Sequence, residues 1–397
     1  MPVQHKIIIV GGGNAGLSVA ARLLRKDSKL DVAVIEPSDK HYYQPAWTLV
    51  GSGIFDIRKT MRREGDVMPA GAQWIKDKVA AFLPEEHAIV FASGEKMYYE
   101  YLVVAPGIQL NWNDVKGLKE SLGTNGVCSN YSYDTAPYTF ESIRNFKGGR
   151  AIFHNPHTPV KCGGAPHKIM YMAADYFRRH GLLKKADIQY WSGGTRLFGV
   201  PEYEKTLLEV CRRADIHLHF QQQLVEIDGP GKRAKFTGMG EHQNEETWVD
   251  FDMIHVTPPQ SAPDFVKQSP LANAAGWVDV DRFTLQHVKY PDIFSLGDAA
   301  SLPTSKTGAA IRKQAPVLVE NLLRHMRHQP LSARYNGYTS CPVVTGYGKL
   351  VLAEFDYDNH RVETFPFDQS RERWSMFLLK RYVLPWMYWA RILTGKA

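Results

Sequence analysis

The sequence predicts an α/β protein built from two Rossmann-like dinucleotide-binding domains, and three observations carry that prediction. A buried strand over residues 6–10 runs directly into the turn Gly11-Gly12-Gly13-Asn14-Ala15-Gly16, and a helical pattern over residues 17–24 follows. A second strand over residues 31–35 ends on the acidic Glu36, about 20 residues past Gly16. A second strand-loop-helix unit begins at Gly149, with a helix near residues 168–180, a strand near 187–191 and further strands through 253–256.

The first unit has the form of a dinucleotide fingerprint. Its glycines, with Asn14 and Ala15 between them, permit the tight turn, the close approach of backbone to a pyrophosphate and helix-on-strand packing. The helix N-terminus adds partial positive charge. Glu36 is placed to hold the ribose hydroxyls of an adenosine and to repel a 2′-phosphate. Two later segments choose FAD over NAD. A strand over residues 101–105 ends at Ala105 and breaks at Pro106-Gly107, as at a crossover between domains. A strand from Ile293 ends in Gly297-Asp298-Ala299, which resembles the segment of two-domain flavoproteins whose aspartate bonds the ribityl chain of FAD, and Lys306 and Thr307 precede the next helix. The cofactor is therefore FAD, held non-covalently. Its domain is discontinuous, covering 1–110 and 270–335, with the second Rossmann-like domain at 111–269 and a C-terminal region at 336–397.

The first loop of the second domain reads Asn155-Pro156-His157-Thr158-Pro159-Val160-Lys161-Cys162-Gly163-Gly164-Ala165-Pro166. A pyrophosphate needs bare N–H groups there, and proline has none. Nicotinamide binding is excluded on that ground, so reducing equivalents must reach the flavin another way. The turn Trp191-Ser192-Gly193-Gly194-Thr195 lacks fingerprint spacing and is read as structural.

A chain of 397 residues, 44% hydrophobic with a formal net charge of +7, has room for several cores and is globular. Its basic charge alone selects no partner, and no nucleic-acid role is expected. Cysteines at 128, 162, 211 and 341 form no CxxC or Cys/His cluster, so neither a metal site nor a secreted disulfide framework is expected. The first apolar run lies too close to Met1 for a signal or transit segment. The protein then acts where it is made, or a presequence has been removed. No stretch approaches the roughly 18 apolar residues of a spanning helix, which restricts membrane contact to a peripheral or monotopic kind.

Cys162 and Cys341 both lie among turn-forming residues rather than on an apolar face, and they are the candidates for electron entry. Cys211 falls inside a helical run and reads as core, and Cys128 reads as non-essential. Spacing alone does not bring Cys162 and Cys341 together.

Several strings resemble the mitochondrial-type branch of the sulfide:quinone oxidoreductases across essentially the whole chain. They are residues 158–162 (ThrProValLysCys) and 164–168 (GlyAlaProHisLys), 255–259 (HisValThrProPro), 275–281, 297–307, 338–342 (TyrThrSerCysPro) and 363–369. The resemblance implies that Cys162 and Cys341 form a redox disulfide beside the flavin and that the electron acceptor is ubiquinone or a similar quinone. Hydrogen sulfide, as hydrosulfide, would attack one sulfur of that disulfide. This leaves a cysteine persulfide and a thiolate or persulfide able to add to the flavin C4a. The sulfane then leaves to a small acceptor, namely glutathione, sulfite or another sulfide. Cys162 is favoured as the sulfur nearer the flavin. Thiolate chemistry needs positive potential, which Lys161 and Lys168 flank Cys162 to supply, while His157 and His167 are placed to move protons.

The tail at 374–393 is dense in Trp and Tyr with interspersed cations, as an interfacial anchor requires. Pro385 is expected to split it into two short helices. Phe377, Tyr382, Trp386 and Trp389 are the membrane or quinone candidates, and Lys380 by family analogy points toward the quinone. The aromatic run His41 to Trp47 is either a lining of the substrate or quinone cavity or ordinary core, and Gln44 within it is a candidate contact of the cofactor. The setting is the surface of a bacterial cytoplasmic membrane, or the mitochondrial inner membrane after presequence removal. Two rival enzymes share the fold. One is a type II NADH:quinone dehydrogenase, which needs a second glycine-rich fingerprint. The other is the flavin subunit of a cytochrome-linked sulfide dehydrogenase, which predicts a secretion signal and no aromatic anchor.

Overall fold

Strands Gln4–Val10, Val32–Ile35, Ala72–Ile75 and Lys96–Val104 form the parallel core of the first sheet in the computed structural model, which describes residues 4–243 and 245–397. They lie side by side in the order 72–75, 32–35, 4–10, 96–104. Ile293–Ser295 joins in parallel beside residues 102–104, so two distant stretches of chain complete one sheet. Ile7, Ile8 and Ile9 are fully buried, as befits a parallel strand covered on both faces. The fingerprint helix Asn14–Lys26 packs against the long helix Gly308–Met326.

The second sheet is wholly parallel, in the order Val127–Cys128, Met253–Val256, Gly149–Asn155, Ala186–Ser192, Ile216–Phe220. Helix Ala165–Arg179 follows the proline-rich loop and crosses this sheet. A hairpin of Thr339–Gly346 and Lys349–Phe355 lies on that helix, with Cys341, Val343, Val351 and Ala353 in the same apolar cluster as Ile169, Met170 and Ala173. This packing brings the C-terminal region back to the start of the second domain.

The tail differs from its sequence reading. It is helical without a break from Trp374 to Ile392, α turns at Trp374–Leu378 and Leu384–Met387 alternating with π turns at Leu379–Val383 and Tyr388–Ile392. Pro385 sits in the first turn of the second α segment, directly after a π turn. A wider turn accommodates the proline ring and its missing N–H, so the helix passes Pro385 instead of ending there.

The three fingerprint glycines have separable duties. Gly11 has φ +106°, and a Cβ there would lie 2.4 Å from the Ala105 carbonyl oxygen. A Cβ on Gly16 would lie 1.9 Å from the Gly11 oxygen, whereas one on Gly13 meets no protein atom within 4 Å. Gly16→Ala should therefore destabilise the fold itself, by more than about 3 kcal/mol given that backbone must move. Gly13→Ala should leave the melting temperature of the cofactor-free protein within about 2 °C, yet weaken dinucleotide binding at least about tenfold because the methyl enters the pyrophosphate's space. Melting curves and flavin titration of both variants check this.

Candidate functional site: a thiol pair beside a dinucleotide fold

Three segments meet at the carboxyl end of the first sheet. The Gly11–Gly16 turn lies against Gly297, where an added Cβ would come within 3.1 Å of the Ala15 Cβ. A Cβ on Gly308 would sit 3.4 Å from the Asn14 amide, so two helix N-termini converge here. Glu36 accepts from Gly12 N–H and Ser38 N–H, both at 2.8 Å, and burial raises its pKa. Gly107, with φ +80°, borders open space. Burial likewise raises the pKa of Asp298, opposed by Lys306 and Lys161. Lys306 donates to the Asp298 and Ala300 carbonyls at 2.7 and 3.1 Å and stacks over Trp277. Open backbone at Gly13 and Gly107, two helix N-termini and carboxylates at Glu36 and Asp298 fit an extended dinucleotide such as FAD.

The thiols lie next to this region. The Cys162 N–H donates to the Lys306 carbonyl at 2.8 Å, and Thr307 Oγ1 bonds Thr339 Oγ1 at 2.9 Å, so loop and hairpin are both stitched to residues 306–307. Thr307 also caps helix Gly308–Met326 by accepting from Ala310 N–H at 3.1 Å. Cys162 and Cys341 are both free thiols, Cys341 only 2% exposed and Cys162 half-buried. Lys168, in the first turn of helix Ala165–Arg179 and 2% exposed, donates from Nζ to Cys162 Sγ at 2.9 Å. A hydrogen bond from Cys341 is the largest influence holding Cys162 well below the usual thiol range. Burial opposes it, and the Lys168 and Lys380 charges reinforce it. Cys341, as the donor of that bond and a buried group, is pushed well above the range. Burial works against the Lys168 ammonium, yet the two sulfurs more than offset it and raise its pKa.

Of the residues singled out from sequence, Cys162, Cys341 and Lys168 come together. Gly11, Gly13, Asn14, Ala15, Gly16, Glu36, Ala105, Gly107, Gly297, Asp298, Lys306 and Thr307 belong to the segments around the glycine-rich turn at the carboxyl end of the first sheet. Others are placed differently. Lys161 turns from the sulfur to Gln44 Oε1 at 2.6 Å and the Tyr131 carbonyl at 3.3 Å, and burial lowers its pKa to about 8. His167 is fully buried and pushed down to about 3, which makes it a neutral packing residue rather than a proton carrier. His157 is exposed and bonds Gln223 at 2.9 Å. Phe377 is buried with Leu49, Met172 and Val344, and Trp389 packs between His41, Tyr43 and Arg62, so neither belongs to an outward membrane face. Tyr382 and Trp386, 58% and 60% exposed, do face outward with Trp374 and Val383. Lys380 is buried, donates to the Pro45 carbonyl at 2.9 Å and is lowered to about 8 by burial and by Lys168. Cys128 lies fully buried in the second sheet with its thiol pushed up to about 12, and Cys211 is core. Gly193 accommodates the backbone of His157, consistent with a structural turn. Sequence reasoning missed the influence of Lys380 on the thiols. It also missed Tyr131, a buried phenol whose pKa is raised by burial and by Cys162; nothing in its local pattern marked it.

Residues 5–142 match the pyridine nucleotide-disulphide oxidoreductase family. Over nearly the full chain the relatives are more specific. The mitochondrial sulfide:quinone oxidoreductase of Dictyostelium discoideum is 49% identical over 394 residues, covering 98% of this chain and 86% of that protein. The chain belongs to the sulfide:quinone oxidoreductase family. The mitochondrial member from Mus musculus is 44% identical over 392 residues, covering 99% of this chain and 87% of its own. Among solved structures, a chain of the Tetrahymena thermophila mitochondrial ATP synthase assembly superposes with TM-score 0.89 at 22% identity, covering 100% and 97% of the two chains. The Aquifex aeolicus sulfide:quinone oxidoreductase gives 0.81 at 18% identity, covering 97% and 91%. Those two likenesses show the fold, which is the one the sequence predicts.

The asymmetry of the pair has a chemical readout. Iodoacetamide attacks thiolates, so the reduced protein should be alkylated at Cys162 well before Cys341, and labelling should persist below pH 7. Lys168→Met should shift the pH midpoint of Cys162 labelling upward, because the charge that favours the thiolate is gone. Peptide mapping after timed labelling measures both effects, and equal labelling of the two cysteines would contradict this electrostatic description.

Proposed function

We propose that this chain oxidises hydrogen sulfide at a disulfide formed by Cys162 and Cys341 and delivers the electrons through non-covalently bound FAD to ubiquinone or a similar quinone at a membrane surface. The observation that carries this reading is the contact of the two sulfurs under one buried lysine, beside a dinucleotide fold. We assign 1–110 with 270–335 to FAD, 111–269 to the domain carrying Cys162, and 336–397 to the region carrying Cys341 and the anchor.

In the oxidised state the pair is an electrophile. Hydrosulfide attacks Cys341 Sγ, the S–S bond breaks, and its electron pair stays on Cys162 as a thiolate. The products, a persulfide on Cys341 and a thiolate on Cys162, balance the step. Lys168 stabilises the departing thiolate at 2.9 Å, which lowers the cost of breaking the bond. The stitch to Lys306 supports Cys162 as the sulfur on the flavin side. Bound FAD supplies a two-electron acceptor that passes electrons onward to quinone. The outer sulfur leaves Cys341 to glutathione, sulfite or sulfide, and the two cysteine thiolates that remain re-form the S–S bond by giving up the two electrons that bound FAD would accept. Lys380, buried and near its titration point around neutral pH, is suited to deliver a proton toward the quinone.

The similarity to mitochondrial relatives favours the mitochondrial inner membrane over a bacterial one. No helix among the described residues is long and apolar enough to cross a membrane. The exposed Trp374, Tyr382, Val383 and Trp386 support interfacial attachment. The NADH-dehydrogenase alternative gains nothing from the second loop, which carries prolines and Cys162 in place of a glycine-rich fingerprint.

Cys162→Ser and Cys341→Ser should each keep FAD and each lose at least about 99% of sulfide:quinone turnover, since either removes the electrophilic S–S bond. The long-wavelength absorption that sulfide elicits should vanish in Cys162→Ser and persist weakly in Cys341→Ser, and the protein should stay yellow with NADH or NADPH. Near-normal turnover in both variants, or bleaching by a nicotinamide, would sink the proposal.

Deleting 374–397 is not a clean test of the anchor, because Tyr388, Ile392 and Leu393 belong to the core of the first sheet. The exposed face is testable alone. Tyr382→Ser/Trp386→Ser should lower vesicle binding about tenfold or more from lost apolar contact, and should slow quinone reduction while leaving sulfide-driven flavin bleaching intact. Unchanged sedimentation with anionic vesicles would count against attachment at this face.

A further inference from the structure

A buried polar cluster outside the thiol site joins the C-terminal helix to the glycine-rich turn. His41, Glu64 and Tyr388 are 3%, 1% and 4% exposed. His41 Nδ1 lies 3.1 Å from the Gly12 carbonyl oxygen and 3.2 Å from Glu64 Oε2. Both partners are acceptors, so Nδ1 carries the ring proton. Nε2, on the opposite side of the ring, pairs with the Tyr388 hydroxyl at 2.5 Å. Burial raises the Tyr388 pKa and keeps its hydroxyl protonated. Glu64 Oε1 is buried without a hydrogen-bond partner, 2.5 Å from where a Cβ on Gly12 would stand. On its other side Gly12 donates its N–H to Glu36 Oε2 at 2.8 Å. Gly12 is thus gripped at both ends, by Glu36 through its N–H and by His41 through its carbonyl.

We propose that Tyr388, His41 and Glu64 form a positioning relay that fixes the Gly12 peptide, and with it the N–H groups of the glycine-rich turn, for the FAD pyrophosphate. The proposal rests on the flavin reading above. A triple-glycine turn has more backbone freedom than any other tripeptide, so binding an anion on it costs ordering entropy unless something holds it beforehand. The relay provides that hold. Trp389 closes over His41, at a ring separation of 5.7 Å, and shields the bonds from water. Tyr388 lies on the helix whose outward face carries Tyr382 and Trp386, so the segment that meets the membrane also sets the cofactor turn. None of the three residues is argued to touch FAD; they act through Gly12.

The test uses purified protein, stripped of FAD and reloaded, with FAD affinity read by flavin fluorescence and melting midpoints recorded with and without FAD. Tyr388→Phe should weaken FAD about fivefold, and His41→Leu more than about tenfold, the range of one to two buried hydrogen bonds left unmade. His41→Asn, whose amide N–H stands where Nδ1–H did, should recover affinity to within about threefold of wild type. Tyr388→Phe/His41→Leu should bind FAD no worse than His41→Leu alone, because the two act in series. The rise in melting midpoint on adding FAD should shrink in Tyr388→Phe and His41→Leu. Tyr382→Ser/Trp386→Ser should bind FAD as wild type does. Unchanged affinity in Tyr388→Phe overturns the relay, as does an additive double variant or an equal fall in both midpoints with affinity intact. Failure of the wild-type protein to rebind FAD would instead overturn the flavin reading on which the relay depends.

Discussion

The 2.8 Å hydrogen bond from the Cys162 N–H to the Lys306 carbonyl is the constraint on which the thiol site depends. Cys162 has φ +55°, a left-handed conformation that costs a residue with a Cβ about 1–2 kcal/mol. A free loop would relax out of it. The bond to Lys306 holds it, while Thr339 binds Thr307 at 2.9 Å and the Ser305 carbonyl at 3.2 Å. Residues 305–307 therefore serve as a common edge for the loop bearing Cys162, the hairpin bearing Cys341 and the start of the helix Gly308–Met326.

Charge is partitioned across that edge. Lys161 and Lys306 serve Asp298, and burial takes both to about 8. Lys168 and Lys380 serve the sulfurs, and Lys380, desolvated by burial and repelled by Lys168, also falls to about 8. Buried cations are tolerated only where counter-charge and hydrogen bonds compensate their desolvation. Adjacent residues Lys161 and Cys162 point into different neighbourhoods, and that division lets a carboxylate and a thiolate stand close without sharing the same cations.

Much of this was legible in sequence where the signal is local. The fingerprint turn, Glu36, the strand entering Gly297-Asp298 and the proline-rich loop all follow from patterns read within a few residues, and the structure shows that turn, that strand and that loop. Proximity of Cys162 and Cys341 was not legible in spacing and was implied only by the resemblance, because it arises from the hairpin packing on helix Ala165–Arg179, a contact without a sequence period. His167 was misjudged for a related reason. Its neighbourhood in sequence is reactive, but helical geometry turns it inward among Tyr171, Tyr190 and Phe198. Pro385 misled because π turns change what a proline does to a helix. The aromatic run at 41–47 was left between cavity lining and core, and it proves to be the seat of the tail: His41 and Tyr43 meet Tyr388, and the Pro45 carbonyl receives Lys380.

The seat of the tail bears on the order in which the chain acquires structure. Tyr388, Ile392 and Leu393 share a core with Ile7, Leu17 and Val34. Ser18 donates to the Ile392 carbonyl at 3.4 Å, and Arg22 donates to the Ala397 carbonyl. The fingerprint helix emerges early from the ribosome, while the residues that cover it arrive only after the second domain has been made. Until then one flank of that helix is bare apolar surface, a form open to chaperones and to misassembly. The loops that closure must bridge are long, though the entropic cost of such loops grows only logarithmically with length. Completion of the first domain is therefore a late event, coincident with delivery of the segment that carries the exposed aromatic face.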